Sequence, residues 1–125
     1  MEGAAMSDLL SFQRDDVLVI RFTSPRILSD VMIAQIGQEL IKLADQANGK
    51  LLLDFSGVAF MSSAMIGKIV LLNKKCQANK TKVKLCGISP TIREVFEITR
   101  LDKVFTIYDY ETAALEAFKK KGWFG

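Results

Sequence analysis

The sequence contains no histidine, so the side chain that most often serves as general base or metal ligand near neutral pH is missing. Its two cysteines, Cys76 and Cys86, do not form a CxxC pair, and their spacing indicates neither a metal knuckle nor a redox motif. We interpret both as reduced residues of a buried core. These absences argue against an enzyme and predict a protein without metal or cofactor.

Long apolar runs are also absent. The longest stretches, such as LLLDF and IVLL, fall far short of the roughly 20 residues that a membrane-spanning helix needs. The N-terminus shows no basic segment followed by an apolar one, as a secretory signal would. We therefore expect a cytoplasmic protein without a membrane partner. With 125 residues, 50% of them hydrophobic, the chain fits one domain with a real core.

Charge is unevenly distributed along a chain whose formal net charge is +3. No acidic residue interrupts the stretch from 68 to 84, which contains Lys68, Lys74, Lys75, Lys80, Lys82 and Lys84. Such a run could attract an acidic partner surface, but a solvated helix end and turn is the simpler interpretation. The stretch has no interleaved aromatic residues and no nucleic-acid-binding motif, so direct binding of nucleic acid is not expected.

The first half of the chain alternates between strand and helix patterns. VLVIRF (17–22) predicts a strand, and LLSF before it could supply an edge strand. Ser29 offers an N-cap for a helix that should end near Gly49, a residue suited to a left-handed C-cap. KLLLDF (50–55) is a continuous apolar run, which is typical of a strand covered on both faces.

The second half continues the alternation. The spacing predicts a helix from Ser63 to about Ala78, a strand in KVKLCGI (82–88) and a helix in SPTIREVFEIT, where proline follows serine. KVFTIYD (103–109) predicts a strand, and YETAALEAFKKK predicts a last helix. This order indicates an α/β fold whose sheet contains parallel pairs joined by right-handed crossovers.

Two adjacent serines, Ser62 and Ser63, join the apolar strand to the following helix in DFSGVAFMSSAMIG. One of them could act only as an N-cap, which is worth about 1 kcal/mol. Alternatively, a phosphate could be attached there, because a helix N-terminus offers unpaired N–H groups and the positive end of the macrodipole. The phosphate would add a charge of about −1.5 to −2 and repel an acidic or tightly packed partner. The two interpretations are compatible.

Other residues around the serines have a structural and a functional interpretation. Asp54 ends the preceding strand without an evident catalytic partner, so a hydrogen bond that orients the loop is the simpler role. Met61 and Met65 flank the serines and could fill the core, or form adaptable contacts on an exposed loop. We expect the loop from Phe60 to Met65 to be exposed.

LLLDFSGVAFMSSAMIG, followed by KVKLCGISPTIREVFEITRLDKVFTIYD and a closing helix, resembles a STAS domain. Bacterial anti-sigma-factor antagonists and the cytoplasmic tails of sulphate transporters share this fold. The match extends from about 17 to 118 within a single domain of residues 1–125. The resemblance implies a mixed β-sheet with helices packed mainly on one side.

The resemblance also implies a function. A STAS-type antagonist binds a partner serine kinase, an anti-sigma factor or a related scaffold, and is switched by phosphorylation of a serine that corresponds to Ser63. The partner-binding residues would be Phe60, Met61, Ser62, Ser63 and Met65. The sequence departs from the family in two respects: Ser62 replaces the usual aspartate, and Met65 replaces one glycine of a pair, of which only Gly67 remains. Asp54 and Gly67 would shape the loop.

The leading hypothesis is therefore a non-catalytic interaction module regulated at Ser63. Two alternatives remain open. The protein could be a STAS scaffold that is never phosphorylated, or it could sense a small ligand in a groove near the same loop. The sequence does not indicate an oligomeric state.

Overall fold

The computed structural model describes residues 8–119. The strands in this part are β1 (Leu9–Arg14), β2 (Val17–Phe22), β3 (Arg26–Ile27), β4 (Lys50–Asp54), β5 (Phe60–Met61), β6 (Lys82–Cys86) and β7 (Thr106–Tyr108). The helices are α1 (Asp30–Ala44), α2 (Ser63–Ala78), α3 (Pro90–Ile98) and α4 (Glu111–Lys119), with a 3₁₀ turn at Leu101–Lys103. The ends of the single domain expected over 1–125, and the last two residues of the expected final helix, lie outside the described residues.

Five strands form one sheet in the order β1-β2-β4-β6-β7. β1 is antiparallel to β2, and the other neighbours are parallel. The parallel pairs are joined by helical crossovers, so the prediction of a mixed α/β sheet is confirmed. β3 and β5 form a separate two-stranded parallel pair that leads into α2.

The helices divide unequally between the two faces of the sheet. The larger core packs Leu51 and Leu53 of β4 against α1, α2 and α3. On the opposite face, Leu52 packs with Ala114 and Phe118 of α4. All three leucines have 0% exposure, which confirms that β4 is covered on both sides. Three of the four helices thus share one face, as expected. Cys76 and Cys86 are buried and not disulfide-bonded.

Serine caps begin three helices in this part of the chain. Ser29, Ser62 and Ser89 each accept, through Oγ, the backbone N–H of the residue three positions later. α1 ends at Ala44 and not near Gly49, so that boundary was wrong. Past Ala44 the N–H groups of residues 46 and 47 bond to carbonyls three positions back, a tighter turn that ends the helix. Gly49 does have a positive φ of 94°, but in the turn before β4.

The segment 103–109 is not one strand, which corrects another prediction. Arg100 adopts a left-handed φ of 65°, and the N–H groups of Val104 and Phe105 both bond to the carbonyl of Leu101. These local bonds occupy the backbone of the segment, so β7 begins only at Thr106. β3 and β5 were not predicted, because two-residue strands are too short to show a hydrophobic period.

Candidate functional site

Ser62 is held at the point where β5 becomes α2. Its backbone N–H donates to the carbonyl of Ile27 at 3.0 Å, so β3 fixes the start of the helix. Its Oγ accepts the N–H of Met65 at 3.3 Å. The backbone of Ser62 is extended, with φ −74° and ψ 160°, as an N-cap requires. Ser62 therefore satisfies one of the N–H groups that every helix leaves free at its start.

Ser63 is the first residue of α2 and is exposed. Its hydroxyl makes no hydrogen bond to any of the described residues, because Ser62 takes the capping position. The first turn of α2 contains no acidic side chain. The positive end of this helix is thus not offset by a carboxylate in its own first turn, and Ser63 lies on it with a free hydroxyl.

The loop between β4 and β5 is anchored at several points. Phe55 has 0% exposure and stacks on Phe22, with ring centroids 4.4 Å apart. The N–H groups of Ala59 and Phe60 both donate to the carbonyl of Pro25, at 2.8 and 3.1 Å. On the other side, the Oγ of Ser89 donates to the carbonyl of Ala59 at 3.4 Å. These contacts hold the chain that presents Ser63 to solvent.

Asp54 connects this loop to the sheet. Its carboxylate accepts the N–H of Ser56 at 2.9 Å and also the Ser56 hydroxyl. Arg21 on β2 approaches the same carboxylate at 3.4 Å and donates to Glu111, at the start of α4, at 2.9 Å. Burial alone would raise the pKa of Asp54, but the bonds from Ser56 and the charge of Arg21 outweigh it, and the pKa lies below its usual value. Asp54 is therefore a carboxylate that orders the loop at neutral pH.

Gly87 explains why the chain can pass so close to Ser56. It has a φ of 72°, a conformation that side chains rarely adopt. A Cβ built on it would lie 3.0 Å from the backbone nitrogen of Ser56, closer than real Cβ contacts allow without displacement. This glycine therefore supports the Asp54–Ser56 turn from the side of β6.

The residues from Phe60 to Met65 divide between surface and core. Phe60 is 44% exposed, with the Arg26 guanidinium 4.9 Å from its ring centroid. Met61 is half-buried against the core. Met65 has 0% exposure, so the expectation that it forms an exposed contact was wrong. Its side chain faces the sheet because it lies one turn below the cap on the inner side of α2, next to Ile66 and Ile69 in the core.

The assignment of Gly67 to a loop was wrong, because Gly67 lies in the second turn of α2. It is exposed, and a Cβ added there would meet nothing within 4 Å. Together with Ala64 and Leu71, which is 60% exposed, it forms an exposed strip of small and apolar residues that runs along α2 from Ser63. We call Ala64, Gly67 and Leu71 the α2 strip. The sequence prediction missed Leu71, although its spacing of four from Gly67 signals the same helix face.

Within residues 8–119, no group of three histidine, cysteine, aspartate or glutamate side chains is placed to hold a metal ion. None of the helices in that range is both long enough and apolar enough to span a bilayer. What the described site offers is a surface with a free hydroxyl, not a set of converging ligands.

Comparison with known proteins agrees with this architecture. The sequence matches the STAS domain family model over residues 11–114. The chain belongs to the STAS domain family. It is 28% identical, over 74% of its length and 80% of the relative's, to BtrV of Bordetella bronchiseptica, which is named as a candidate anti-sigma factor antagonist. A solved anti-sigma-factor antagonist (STAS) domain protein from Planctomyces limnophilus is 29% identical, with a TM-score of 0.79, over 90% of this chain and 98% of that one.

A more distant solved structure is similar in fold. It is SpoIIAA in its unphosphorylated form, with a TM-score of 0.74 at 21% identity, over 91% of this chain and 98% of that one. The Bacillus cell fate determinant SpoIIAA has also been solved in its phosphorylated form, with a TM-score of 0.68 at 20% identity, over 88% and 98%. At these identities the likeness shows the STAS fold of this chain and no more.

Proposed function

We propose that this protein is an anti-sigma-factor antagonist that binds a partner serine kinase or anti-sigma factor while Ser63 is unmodified. Phosphorylation of Ser63 by that kinase releases the partner. The nucleotide belongs to the kinase, and this chain acts as a regulatory, non-enzymatic surface in the cytoplasm. The proposal follows the family to which the chain belongs and the names of its relatives.

The observation that carries the proposal is the division of roles between the two serines. The Oγ of Ser62 accepts the N–H that it caps, whereas the hydroxyl of Ser63 is exposed and has no partner among the described residues. A kinase must reach a free hydroxyl without unfolding its substrate. Of the two neighbours, Ser63 is the one that meets this requirement.

The position of Ser63 also favours a switch that leaves the fold intact. A phosphate there would lie at the positive end of α2, in a first turn without acidic residues, so the helix would tolerate it. The same phosphate would add about −1.5 to −2 charge beside Phe60 and the α2 strip. A partner that buries these apolar groups would then have to desolvate a dianion, which opposes binding.

Phe60, Met61 and the α2 strip are the proposed docking surface. Phe60 and Leu71 are the exposed large apolar side chains here, and Gly67 allows a partner's backbone to approach the helix closely. Interfaces draw most of their affinity from a few such central apolar contacts. The solved phosphorylated form of SpoIIAA supports the proposal by analogy of fold alone.

A constitutive STAS scaffold is the second candidate. Ser62 stands where the antagonists usually carry an aspartate, and Met65 stands where they usually carry a glycine. Met65 fills the core below the cap and Ser62 forms the cap itself, so both departures lie next to Ser63. A scaffold would bind its partner through the same surface without any phosphate transfer.

Phosphate transfer separates the two candidates. The purified chain is incubated with ATP and the anti-sigma-type serine kinase of its own host, and its intact mass is followed. We expect one phosphate on the wild type, none on Ser63→Ala, and one on the control Ser62→Asn. Asparagine caps a helix about as well as serine but offers no hydroxyl. No transfer by a kinase that is active on another substrate, or transfer retained in Ser63→Ala, contradicts the proposed switch.

A further inference from the structure

β1 forms an edge of the five-stranded sheet, because β2 is its one neighbour among the described strands. Its six residues pair with β2 in a continuous register, whereas β7 at the opposite edge has three residues. Proteins usually protect a sheet edge with lysine, proline, a bulge or a very short strand, since an exposed edge can pair with another chain. β1 has the sequence LLSFQR and contains none of these features. It is therefore an edge suited to pairing with a further strand.

The hydrogen bonds between β1 and β2 determine which backbone groups of β1 point outward. The N–H of Thr23 donates to the carbonyl of Asp8 at 2.9 Å, so the ladder extends one residue beyond β1. In an antiparallel pair the hydrogen-bonded positions alternate along each strand. Since Asp8 is bonded to β2, the N–H and C=O groups of Ser11 and Gln13 point away from β2. Both residues are exposed, so these groups are accessible to a second strand.

The side chains of Asp8, Leu10, Phe12 and Arg14 alternate onto the face of the sheet that carries α4. Phe12 packs partly against the core of that face, and Leu10 is 36% exposed. The Arg14 guanidinium lies 5.0 Å from the centroid of the Phe12 ring. Neither Asp8 nor Arg14 forms an ion pair with another of the described residues. The edge thus presents an acid, two apolar side chains and a base, in that order.

This order is complementary to itself when a second β1 runs antiparallel to the first. With Ser11 on a twofold axis, opposite its own copy, Leu10 lies opposite Phe12 of the second copy and Asp8 lies opposite Arg14 of the second copy. These pairs occupy the positions without hydrogen bonds, where opposite side chains approach most closely. The symmetry repeats each pair, so two apolar contacts near the axis are flanked by two pairs of opposite charge.

The neighbouring registers that keep the same backbone bonds lose this match. Moving the second strand in one direction places Asp8 opposite Asp16, which brings like charges together. Moving it in the other direction places Asp8 opposite Phe12. The register centred on Ser11 is therefore the one that gives Asp8 a partner of opposite charge.

We propose that the outer edge of β1 binds a second copy of this chain and joins the two sheets through a symmetric β1–β1 contact. Main-chain hydrogen bonds at Ser11 connect the two strands, and the charged pairs fix the register. A contact made by one strand edge is small, so the dimer is weak and its population depends on protein concentration. Ser63 and the proposed docking surface lie on other elements, so the contact leaves them accessible to a different partner.

Hydrogen exchange and sedimentation equilibrium of the full chain, over a range of protein concentrations, test the contact directly. The average mass should rise from the 13.9 kDa of the monomer toward twice that value. The Ser11 amide should exchange more slowly as the dimer forms, while the amides of β7 at the other edge keep their rates. A monomer at every concentration up to about 1 mM would overturn the proposal. So would protection of Ser11 that does not depend on concentration, or protection that appears at β7 instead.

Charge reversal tests the register. Arg14→Glu places like charges opposite each other at both ends of the dimer, so it should weaken dimerisation at least about tenfold. Combining it with Asp8→Arg makes the charges opposite again and should restore dimerisation. Lys74→Glu changes the net charge by the same amount on α2, away from β1, and should have no effect. Unchanged dimerisation in Arg14→Glu, or no recovery in the double variant, would overturn the proposal.

Ser11→Pro separates dimerisation from folding. Proline is tolerated on an edge strand where the N–H that it lacks would face outward, as the N–H of Ser11 does. The variant should keep the circular dichroism spectrum of the wild type and sediment as a monomer. A dimer retained in this variant would overturn the proposal, and loss of the fold would do the same, because it would mean that the N–H of Ser11 bonds to β2. None of these outcomes depends on whether Ser63 is phosphorylated.

Discussion

The Oγ of Ser62 accepts the backbone N–H of Met65 at 3.3 Å, and this bond gives the two adjacent serines different properties. Ser62 becomes part of the helix, while Ser63 remains exposed with a free hydroxyl. Met65 donates the bond from a residue whose side chain is fully buried. The cap is thus anchored in the core, which fixes the position of Ser63 at the surface.

The free energy of unfolding should differ between variants of the two serines. Ser62→Ala removes the cap and should lower the free energy of unfolding by about 1 kcal/mol. Ser63→Ala removes no bond to the described residues and should change it by less than about 0.5 kcal/mol. Urea denaturation of both variants measures the difference. Equal losses would show that Ser63 shares the capping role.

Met65 should now behave as a core residue. Met65→Ala removes a side chain of 0% exposure and should cost about 2–5 kcal/mol, because it leaves a cavity between α2 and the sheet. Met61 is only half-buried, so Met61→Ala is the matched control and should cost less. Thermal melts of the two variants decide the point. A larger loss of stability in Met61→Ala than in Met65→Ala would mean that Met61, and not Met65, is the core residue.

Gly87 and Gly67 should respond in opposite directions to the same substitution. Gly87→Ala forces a Cβ against the backbone of Ser56 at a left-handed φ, so it should destabilise the protein and disturb the Asp54 turn. Gly67→Ala adds a methyl group to an exposed helix position with open space around it. It should stabilise by about 0.5–1 kcal/mol. Denaturant midpoints compare the two, and a stabilising Gly87→Ala would refute the close approach.

The Asp54 carboxyl should make stability depend on acid pH. Its pKa in the folded protein is lowered, since burial is outweighed by the bonds from Ser56 and the charge of Arg21. The unfolded value is about 3.9. The contribution of Asp54 is therefore present above about pH 4 and is lost as the pH falls through the folded pKa.

Asp54→Asn cannot ionise and supplies the control for this prediction. Denaturation at a series of pH values should show the free energy of unfolding of the wild type falling more steeply below pH 4 than that of the variant. Parallel curves would mean that the carboxyl gains nothing from its partners in the folded state.

The residue pattern predicted most of the fold, because β4 is a continuous apolar run and the helical period of 3.6 is strong over α1 and α3. It failed where local bonds compete with the pattern. The left-handed Arg100 and the bonds to Leu101 shorten β7, and tight turns end α1 at Ala44. Hydropathy could not decide whether Met65 faces the core or the solvent, because a methionine in the first turn of a helix can do either. The rotation of α2 is set by the Ser62 cap and by the β3–β5 pair. The sequence predicted a cap at one of the two serines without choosing between them, and it did not predict the β3–β5 pair.

The most direct test of the central claim is the affinity of the intact chain for its kinase partner before and after phosphorylation. Titration calorimetry would compare the unmodified protein with protein carrying one phosphate, its position mapped by peptide mass spectrometry. The account predicts a phosphate on Ser63 and binding weakened by at least about tenfold, with an unchanged fold. A phosphate on Ser62, or equal affinity of the two forms, would contradict it.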